Sequence, residues 1–367
     1  MQLIPTLVVG GAERMVATLS IHLRRWGHDV AVVSMYPPFD TWIEKELHEE
    51  GVPITHCGKR RGLDLRVIGR IRRAIIELRP DVLHTHLYVL KYAVPALATT
   101  RRCRVVHTIH NVADKEVDRP SMILQHVAFR AGVVPVAIGQ SVAESVRRCY
   151  RLDPAHIIPN GIPVARFAPP RGAREEVRVS LGVPPRAPVF ASVGKLEPQK
   201  NHRALLAAFA SERLASLGAH LLLAGDGILR RDLEGEARVL GCGDRVHFLG
   251  VRSDVPRVLA AADAFVLASR YEGNPLCVME AMAAGKAIVA TAVGCVPELV
   301  VDGAGRLVPP EDVSALEAAL FELASDAGKA QAMGMAAGRA AARFDDVLMA
   351  RAYEQVYQCA CCTSSRV

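Results

Sequence analysis

Short apolar runs rich in β-branched residues alternate with amphipathic stretches along most of the chain. In the first half the predicted strands are 30–36, 53–57, 81–87, 104–110 and 135–139. The stretches with helical spacing lie near 12–25, 41–50, 65–78, 91–100 and 120–131. Ser141 followed by Glu144 predicts a capping box at the start of a further helix. This alternation is typical of βαβ units in a parallel sheet.

The second half repeats the pattern. Its predicted strands are 188–193, 219–224, 245–249, 264–268 and 287–291. Its predicted helices lie near 202–213, 229–240, 254–262, 276–284, 314–325 and 329–343, with a final helix at about 346–358. A segment rich in proline and arginine, IPNGIPVARFAPPRGARE, separates the two halves at 158–175. Such a segment is typical of a domain boundary.

These patterns predict an α/β protein with two doubly wound, Rossmann-like domains, 1–165 and 166–345. The final helix is a candidate to pack back on the first domain. Ligands of such sheets bind at the carboxyl ends of the strands. We therefore expect the two domains to face each other across a cleft that holds the ligand.

Composition agrees with this prediction and narrows the class of protein. The 367 residues, 50% hydrophobic and 23% charged, suit a two-domain globular protein. No apolar run approaches the roughly 18 residues of a membrane span, which predicts a cytoplasmic protein. The nine cysteines are scattered and suit a reducing compartment. Cys359, Cys361 and Cys362 cluster near the end, but the tail lacks a second pair of ligands for a metal site.

The positive charge is confined to the first domain. Residues 1–165 contain 22 Lys and Arg against 15 Asp and Glu, which accounts for the whole net charge of +7. The second domain is neutral in sum, so it must recognise its ligand with local groups. No nucleic acid partner is expected.

Two stretches of the first domain follow predicted strands. VGGAER places Gly10 and Gly11 before a helix, where close backbone approach and free N–H groups suit an anion, although a glycine pair is more often a simple turn. HTHLY (84–88) and HTIHN (107–111) place four histidines at the ends of neighbouring strands. A zinc site is one interpretation. The favoured one buries His84 and His107 inside the strands and lets His86 and His110 reach the cleft.

Two stretches of the second domain have clearer chemistry. In SVGKLEPQKNH a strand ends, the chain turns at Gly194, and Lys195 and Lys200 follow, which suits a diphosphate at the mouth of a parallel sheet. A solvated basic loop is the alternative. AGDG (224–227) is interpreted as a plain turn.

The stretch RYEGNPLCVMEAMAAGKAIVAT places one carboxylate before a helix and a second within it. Pro275 suits the first turn of that helix, because its missing N–H has no partner there anyway. The backbone N–H groups of 274–278 then point into the cleft. Glu272 and Glu280 are too far apart to share one role. They fit an elongated ligand in which a diphosphate lies between two sugars, with one carboxylate for each sugar.

The stretches GGAER, HTIHN, IPNGI, VGKLEPQKN and EGNPLCVMEAMAAGKAIVA, in this order and spacing, resemble family 4 of the retaining glycosyltransferases. The resemblance covers nearly the whole chain and implies the GT-B fold. It implies a hexosyltransferase that moves a sugar from a UDP- or GDP-linked donor to an acceptor hydroxyl, in bacterial surface polysaccharide or glycolipid synthesis. The most specific part of the resemblance is the E-x7-E pattern with two cations before it.

The resemblance also implies roles for individual residues. Lys195 and Lys200 match the cations that hold the donor diphosphate, and Glu280 matches the acid that binds the ribose. Glu272 matches the residue that binds the transferred sugar and its phosphate. His110 matches the histidine beside the sugar at the reaction centre. The remaining donor-binding positions implied are Gly10, Gly11, Gly194, Gly273, Asn274, Pro275, Leu276 and Cys277.

The resemblance further implies that no metal or other cofactor is needed, because cations and amides take its place. The absence of an Asp-x-Asp pattern agrees. Two departures stand out. The family usually has arginine at the position of Lys195, and lysine cannot make a forked contact with phosphate. The first strand also begins unusually close to the glycine pair.

Two other functions stay open on the residues alone. A nucleotide-sugar epimerase or hydrolase on the same fold would need acids in the first domain. Asp114, Glu116 and Asp118 could supply them, but they lie in a polar loop expected to be solvated. The second alternative is a nucleotide-sugar-binding protein without catalysis.

The acceptor is suggested only by a basic segment at 58–79. Its apolar residues, expected to pack on the sheet, are Val67, Ile68, Ile71, Ile75 and Leu78. Its basic residues are Lys59, Arg60, Arg61, Arg66, Arg70, Arg72, Arg73 and Arg79. Docking on the anionic inner face of a membrane that carries a lipid-linked acceptor is one interpretation, and a solvated face is the other. A soluble sugar acceptor corresponds to the second.

Overall fold

The computed structural model describes residues 1–98, 100, 103–301 and 303–362. The chain divides into two compact units. The first comprises Met1–Gly161 and the chain from Asp346 onward, and the second comprises Ile162–Asp345. The first change of unit therefore falls inside the segment rich in proline and arginine.

The strands of the first unit form one parallel sheet in the order β3-β2-β1-β4-β5-β6-β7. These strands are β1 Gln2–Ile4, β2 Val32–Ser34, β3 Ile54–His56, β4 Val82–His86, β5 Arg104–Ile109, β6 Val134–Ala137 and β7 His156–Ile157. The helices between them are α1 Gly11–Arg25, α2 Trp42–Glu49, α3 Arg66–Leu78, α4 Leu90–Leu97, α5 Ala113–Glu116, α6 Arg119–Arg130 and α7 Gln140–Tyr150.

The strands of the second unit form another parallel sheet in the order β10-β9-β8-β11-β12-β13. These strands are β8 Val189–Val193, β9 His220–Ala224, β10 Val246–Gly250, β11 Ala264–Leu267, β12 Ala287–Thr291 and β13 Gly305–Val308. The helices are α8 Ala173–Ser180, α9 His202–Phe209, α10 Glu212–Ser216, α11 Arg230–Val239, α12 Val255–Ala261, α13 Leu276–Ala283, α14 Val296–Leu299, α15 Val313–Ser325 and α16 Ala327–Ala341.

The last helix, α17 Asp346–Cys362, packs in the core of the first unit. Its buried face is formed by Met349, Ala350, Tyr353 and Val356, which share a cluster with apolar residues of β1 and α1. A helix that follows the second unit in sequence therefore completes the hydrophobic core of the first.

Both sheets have a topological switch point, where the strand order reverses. The reversal falls between β1 and β4 in the first unit and between β8 and β11 in the second. The carboxyl ends of the strands at a switch point leave a crevice in which ligands of open α/β sheets bind. The loops that follow β1, β8 and β11, together with the start of α13, contain most of the predicted donor-binding positions, whereas His110 follows the next strand of the first sheet, β5.

The predicted fold class is confirmed, and the differences are local. The helix expected at 202–213 is two helices, because Ser211 caps α10 by accepting a hydrogen bond from the Leu214 amide at 3.4 Å. Ser141 lies inside α7, whose N-cap is Gly139, so the predicted capping box is wrong. A capping box does form at Thr41 and Glu44 before α2. Strands β7 and β13 and helices α5, α8 and α14 were not predicted, and α4 ends at Leu97, before residue 99, which lies outside the described residues.

Among the described residues, no helix is both long enough and apolar enough to span a bilayer.

Candidate active site

A buried ion pair forms the centre of the switch point in the second unit. Lys200 lies at the end of a short 3-10 turn after β8, and Glu272 follows β11. The Lys200 ammonium donates to Glu272 Oε1 at 2.6 Å, and the Ser269 hydroxyl donates to the same oxygen at 2.6 Å. Their side chains are only 17% and 6% exposed, respectively. The pair therefore joins the neighbouring strands β8 and β11 at their carboxyl ends.

The backbone around this pair is fixed from both sides. Gln199 donates from its side-chain amide to the Tyr271 carbonyl at 3.0 Å, and the Arg270 N–H donates to the Gln199 carbonyl at 2.9 Å. A Cβ at Gly194 would lie 3.2 Å from Lys200 Cε, so the absence of a side chain there leaves room for the lysine stem. The two loops are thereby held together independently of the ion pair.

The electrostatics of the pair favour the charged form of Lys200. Burial alone would lower the pKa of Lys200, but the Glu272 carboxylate outweighs it and raises that pKa above its ordinary value. The Cys277 thiol lies beside the same charges. Burial raises its pKa to about 12, Lys200 opposes the rise, and Glu272 and Glu280 add to it. Cys277 is therefore a neutral thiol and not a nucleophile at physiological pH.

Helix α13 begins beside the ion pair with free backbone donors. Pro275 is its N-cap, one position before the first turn where the sequence predicted it. The Val278 amide donates to the Pro275 carbonyl at 3.2 Å, whereas the Leu276 and Cys277 amides find no acceptor among the described residues. The predicted run of free amides at 274–278 is thus narrowed to two. Glu280 lies one turn further into the helix and is half-buried.

Glycine-lined loops back this site, and sequence reasoning undervalued them. Gly225 and Gly227 pack against the backbone of Gly194 and Leu196, where a Cβ would collide. The stretch AGDG is therefore a packing element and not merely a turn. Gly294, at φ +53°, packs in the same way on the carbonyl of Glu272. The signal that could have identified these glycines is their position directly after β9 and β12.

Lys195 differs from Lys200 in its exposure and in its contacts. It is exposed, and its ammonium has no hydrogen-bond or ion-pair partner among the described residues. The ammonium is therefore available to a ligand, and the phosphate contact expected of it stays a prediction.

In the first unit, three of the four histidines form a buried polar network with the last helix. His84 Nδ1 lies 2.6 Å from the Tyr357 hydroxyl, and His84 Nε2 lies 2.7 Å from Thr108 Oγ1. His86 Nδ1 lies 2.9 Å from His110 Nε2, and His86 Nε2 lies 3.0 Å from Gln2 Oε1. His86 is fully buried, so the prediction that it reaches the cleft is wrong. It lies on the same face of β4 as His84, because side chains two apart on a strand share a face.

The fourth histidine, His107, lies on the other side of the sheet. His107 Nδ1 lies 2.9 Å from Thr85 Oγ1, and its Nε2 lies 3.2 Å from Gln125 Nε2. The predicted burial of His84 and His107 with hydrogen-bond partners is confirmed. No group of three or more His, Cys, Asp or Glu side chains in the described part of the chain is arranged to hold a metal ion.

His110 follows β5 and is held through its backbone by a buried carboxylate. Glu116 Oε2 accepts from the His110 N–H at 2.5 Å and from the Asn111 N–H at 2.7 Å. Glu116 Oε1 is buried without a partner among the described residues. Burial raises the pKa of Glu116 to about 8, although both N–H groups oppose the rise. The expectation that this acid is solvated is wrong.

The neighbouring acids are placed as the sequence predicted. Asp114 is exposed and lies near Arg148 and Lys115, and Asp118 is exposed and caps α6. A buried pair of catalytic acids is therefore not formed by these three residues.

The glycine pair of the first unit leads into α1, as expected. Gly10 is the N-cap of α1, and Gly11 is its exposed first residue. The carboxylate of Glu13 folds back so close to Gly10 that a Cβ there would collide with Glu13 Oε2. Thr6 Oγ1 also lies 3.3 Å from Glu13 Oε1. A carboxylate therefore already lies at the start of this helix, which sequence reasoning missed.

A fold with two Rossmann-like units is shared with solved glycosyltransferase structures. HepE from Anabaena, solved with UDP and glucose, superposes with a TM-score of 0.83 at 20% identity and covers 98% of this chain and 99% of its own. Sucrose-phosphate synthase from Thermosynechococcus elongatus gives a TM-score of 0.84 at 22% identity, with coverage of 97% and 98%. The fold is thus that of the GT-B glycosyltransferases.

The sequence comparisons give the family. A model described as "Glycosyltransferase Family 4" matches residues 9–166, and one described as "Glycosyl transferases group 1" matches residues 173–339. The D-inositol 3-phosphate glycosyltransferase of Actinosynnema mirum is 35% identical over 287 residues, which cover 71% of this chain and 68% of that protein. The glycogen synthase of Mycobacterium tuberculosis is 28% identical over 394 residues, with coverage of 96% and 92%. The chain belongs to glycosyltransferase family 4, as its motifs predicted.

Proposed function

We propose that this protein is a hexosyltransferase that transfers a sugar from a nucleoside-diphosphate sugar to an acceptor hydroxyl with retention of anomeric configuration. The observation that carries the proposal is the Lys200–Glu272 pair beside the two free amides of α13. Fixed donors and a charged lysine at a switch point suit a diphosphate. The HepE neighbour, solved with UDP and with UDP-glucose, supports a nucleotide-sugar donor.

In the proposed reaction, the bond between the anomeric carbon and the phosphate oxygen breaks while the acceptor oxygen bonds to the same face of that carbon. The acceptor proton passes to the leaving phosphate, so the products are a glycoside and a nucleoside diphosphate. Negative charge grows on the leaving phosphate. Lys200, Lys195 and the amides of Leu276 and Cys277 would stabilise it, and such preorganised donors are usually the largest catalytic contribution.

Glu272 and Glu280 have the hydroxyl-binding roles in this proposal. Glu280, one turn inside α13, would accept from the ribose hydroxyls. Glu272 already holds Lys200 and Ser269 through one oxygen, so its second oxygen would accept from the transferred sugar. Since the protein supplies fixed cations and amides for the diphosphate, we propose that no metal is required.

The proposal is tested by incubating the protein with UDP-glucose, UDP-galactose or GDP-mannose, with and without EDTA. We expect one donor to be consumed with release of its nucleoside diphosphate, at the same rate with the chelator, and its sugar to be recovered as a glycoside of an added sugar or lipid-linked acceptor. Recovery of the sugar only in free form would favour a hydrolase. The anomeric configuration of the product is then read by NMR. Conversion of the donor to another sugar nucleotide without nucleotide release would favour an epimerase, and binding without any turnover would favour a regulator.

We also propose that the first unit docks on an anionic membrane surface that carries a lipid-linked acceptor in polysaccharide or glycolipid synthesis. The support is a loop with exposed leucines: Leu63 is 79% exposed and Leu65 is 64% exposed. Exposed arginines flank them at positions 60, 61 and 66. Apolar side chains next to cations are suited to a lipid headgroup region.

The loop is shaped by two residues that do not reach the surface. Lys59, counted with the basic face in the sequence, is buried and donates to the carbonyls of Arg60 and Gly62 at 2.9 and 2.5 Å. Asp64 accepts from the Arg60 and Arg66 amides, each at 3.1 Å. The loop is therefore ordered by its own contacts. Leu78 is exposed and does not pack on the sheet as predicted.

Vesicle flotation tests the docking. Changing Leu63 and Leu65 to Ser, or Arg60 and Arg61 to Gln, should weaken binding to vesicles with phosphatidylglycerol, by about 1 kcal/mol per charge at low salt. The matched control changes Val179 and Val239 to Ser, which are 78% and 88% exposed in the neutral second unit. Wild-type protein that ignores such vesicles at low salt would contradict the proposal and favour a soluble acceptor.

A further inference from the structure

The proton on His110 can be placed by following the hydrogen bonds that lead to it. The chain of contacts begins at His84 Nδ1, which lies 2.6 Å from the Tyr357 hydroxyl. This distance is shorter than the usual range of N–H···O bonds but typical of an O–H donor. The phenol therefore donates its proton to His84. Its oxygen is left to accept, and the Gln2 side-chain amide donates to it at 3.3 Å.

This contact fixes the orientation of the Gln2 amide. With Nε2 facing Tyr357, Oε1 faces His86 Nε2 at 3.0 Å. A carbonyl oxygen can only accept, so His86 carries its proton on Nε2. Burial, followed by the neighbouring histidines, lowers the pKa of His86 well below its ordinary value, so it is neutral and has only one proton. His86 Nδ1 is consequently an acceptor.

The same reasoning assigns the proton of His110. Its Nε2 lies 2.9 Å from His86 Nδ1, and one of these two nitrogens must donate. Because His86 Nδ1 is an acceptor, His110 carries its proton on Nε2. Burial lowers the pKa of His110 to about 3, so this ring is also neutral. Its Nδ1 is then a lone-pair acceptor with no hydrogen-bond partner among the described residues.

We propose that Gln2 and His86 are positioning residues that hold His110 as its Nε2–H tautomer, so that His110 Nδ1 accepts a hydrogen bond from a hydroxyl of the bound sugar. The sugar part rests on the function proposed above. The opposite tautomer would present an N–H at that position and would suit a phosphate oxygen instead. A bare Nδ1 can therefore bind a hydroxyl but not an unprotonated phosphate oxygen, whereas an Nδ1–H could bind either.

The structure offers a matched control on the opposite face of the sheet. Gln125 resembles Gln2 closely, since Gln125 is 3% exposed and Gln2 is 2% exposed. Gln125 also bridges a histidine and a tyrosine, His107 and Tyr150. The change of either glutamine to Met removes a buried amide of similar size. Only Gln2→Met breaks the contact with His86.

The tautomer is measured by NMR on full-length protein labelled with ¹⁵N-histidine, with the His110 signals assigned by their loss in His110→Asn. In the wild type we expect the His110 Nε2 signal to show a bonded proton and the Nδ1 signal to show a bare lone pair. Gln2→Met should give a mixture of tautomers, whereas Gln125→Met should leave His110 unchanged. A protonated Nδ1 in the wild type, or no change in Gln2→Met, would overturn the proposal.

Titration with ligands identifies the group that binds to His110 Nδ1. Addition of UDP-glucose should shift the His110 Nδ1 signal, and UDP alone should leave it in place. A shift with UDP alone would assign the histidine to phosphate and contradict the proposal. Gln2→Met should lower turnover by roughly 10- to 100-fold, the range known for residues that orient metal-ligating histidines, with a smaller change in UDP affinity. Failure of the wild type to bind any nucleotide sugar would contradict the proposed function but would leave the tautomer measurable.

Discussion

The carboxyl ends of the two sheets are built from opposite kinds of chemistry. In the second unit, Lys200, Glu272 and Glu280 lie around the free amides of α13, and the site is charged and partly open. In the first unit, His86 and His110 belong to a network of neutral imidazoles whose pKa values are lowered by burial. The overall charge has the reverse distribution, since the first unit carries the excess of cations and the second is neutral in sum.

This difference shows that net charge is a poor guide to the site of an anionic ligand. A diphosphate needs a few fixed donors at contact distance, and one buried lysine with two amides supplies them. Hydroxyl groups need acceptors of defined orientation, which neutral histidines and carboxylates supply. The excess of cations in the first unit is spread over exposed arginines, where it can act on a surface but not on one bound phosphate.

Loss of Lys200 should have the largest effect and should separate catalysis from stability. Lys200→Met is expected to lower kcat by about 10²- to 10³-fold, because charge on the phosphate grows toward the transition state. It should also destabilise the fold by about 3–5 kcal/mol, because Glu272 is left buried without its partner. Steady-state kinetics and chemical denaturation measure the two effects.

A second variant distinguishes the two causes. Adding Glu272→Gln to Lys200→Met removes the unpaired charge and should restore most of the stability without restoring kcat. If the double variant regained activity, the role of Lys200 would be structural. If both variants kept wild-type kcat, the donor site would have to be sought elsewhere in the chain.

Glu280 should have the next largest effect, and it should act on the nucleotide alone. Glu280→Ala is expected to cost about 1.5–3 kcal/mol of UDP binding, because a hydrogen bond to a charged group is lost. Calorimetric titration with UDP measures this. Glu234→Ala is the control, since that carboxylate also lies on a helix of the second unit, where it forms an ion pair with Arg230 at 2.9 Å. Unchanged UDP affinity in Glu280→Ala would show that the ribose is bound by another group.

Glu116 gives the stability of the first unit a pH dependence. Burial raises its pKa to about 8 from an ordinary 4.5, so the folded protein keeps a proton that the unfolded chain has lost between these values. The stabilisation is complete below about pH 4.5 and is lost as the pH rises through about 8. Glu116→Gln should flatten this part of the stability profile while costing about 1 kcal/mol at low pH. Thermal unfolding between pH 5 and 9 is the measurement, and equal slopes for both proteins would contradict the raised pKa.

The sequence predicted the fold well because its signals are local. A parallel sheet buried on both faces reads as short apolar runs, and all but the shortest or most polar strands were found in this way. Strand β13, Gly305–Val308, was missed because its sequence GRLV contains an arginine that extends to Glu322 on α15. Helix α8, Ala173–Ser180, was missed because its sequence lies at the end of the segment taken as a linker.

The site was predicted unevenly for a related reason. Lys200, Glu272 and Glu280 carry charges next to glycine and proline, so type and position both point to a ligand. Gln2 acts through contacts with His86 and Tyr357, which are 84 and 355 positions away in the chain. Glu116 acts on the backbone N–H groups of His110 and Asn111, and no side-chain pattern marks such a contact. The orientation of His86 could not be deduced either, because it depends on Gln2, 84 positions away in the chain. Neutral networks are therefore much harder to read from a sequence than ionic ones.

The smallest effect is expected at Lys195. Its size tests whether this lysine acts on the diphosphate through direct contact or through a longer-range electrostatic attraction. Lys195 is exposed and has no partner among the described residues, so solvent screens its interaction with a ligand. Lys195→Arg should keep activity and should tighten UDP binding by less than about 1 kcal/mol, because a forked donor fits a diphosphate better. Lys195→Gln should weaken binding by a similar amount, more at low salt than at high salt.

Lys200→Arg is the matched contrast. The Lys200 stem lies against Gly194, and its ammonium lies 2.6 Å from Glu272. The larger guanidinium should therefore not fit, and activity should fall. Inactivation by Lys195→Arg would instead place the Lys195 ammonium in a contact as confined as that of Lys200.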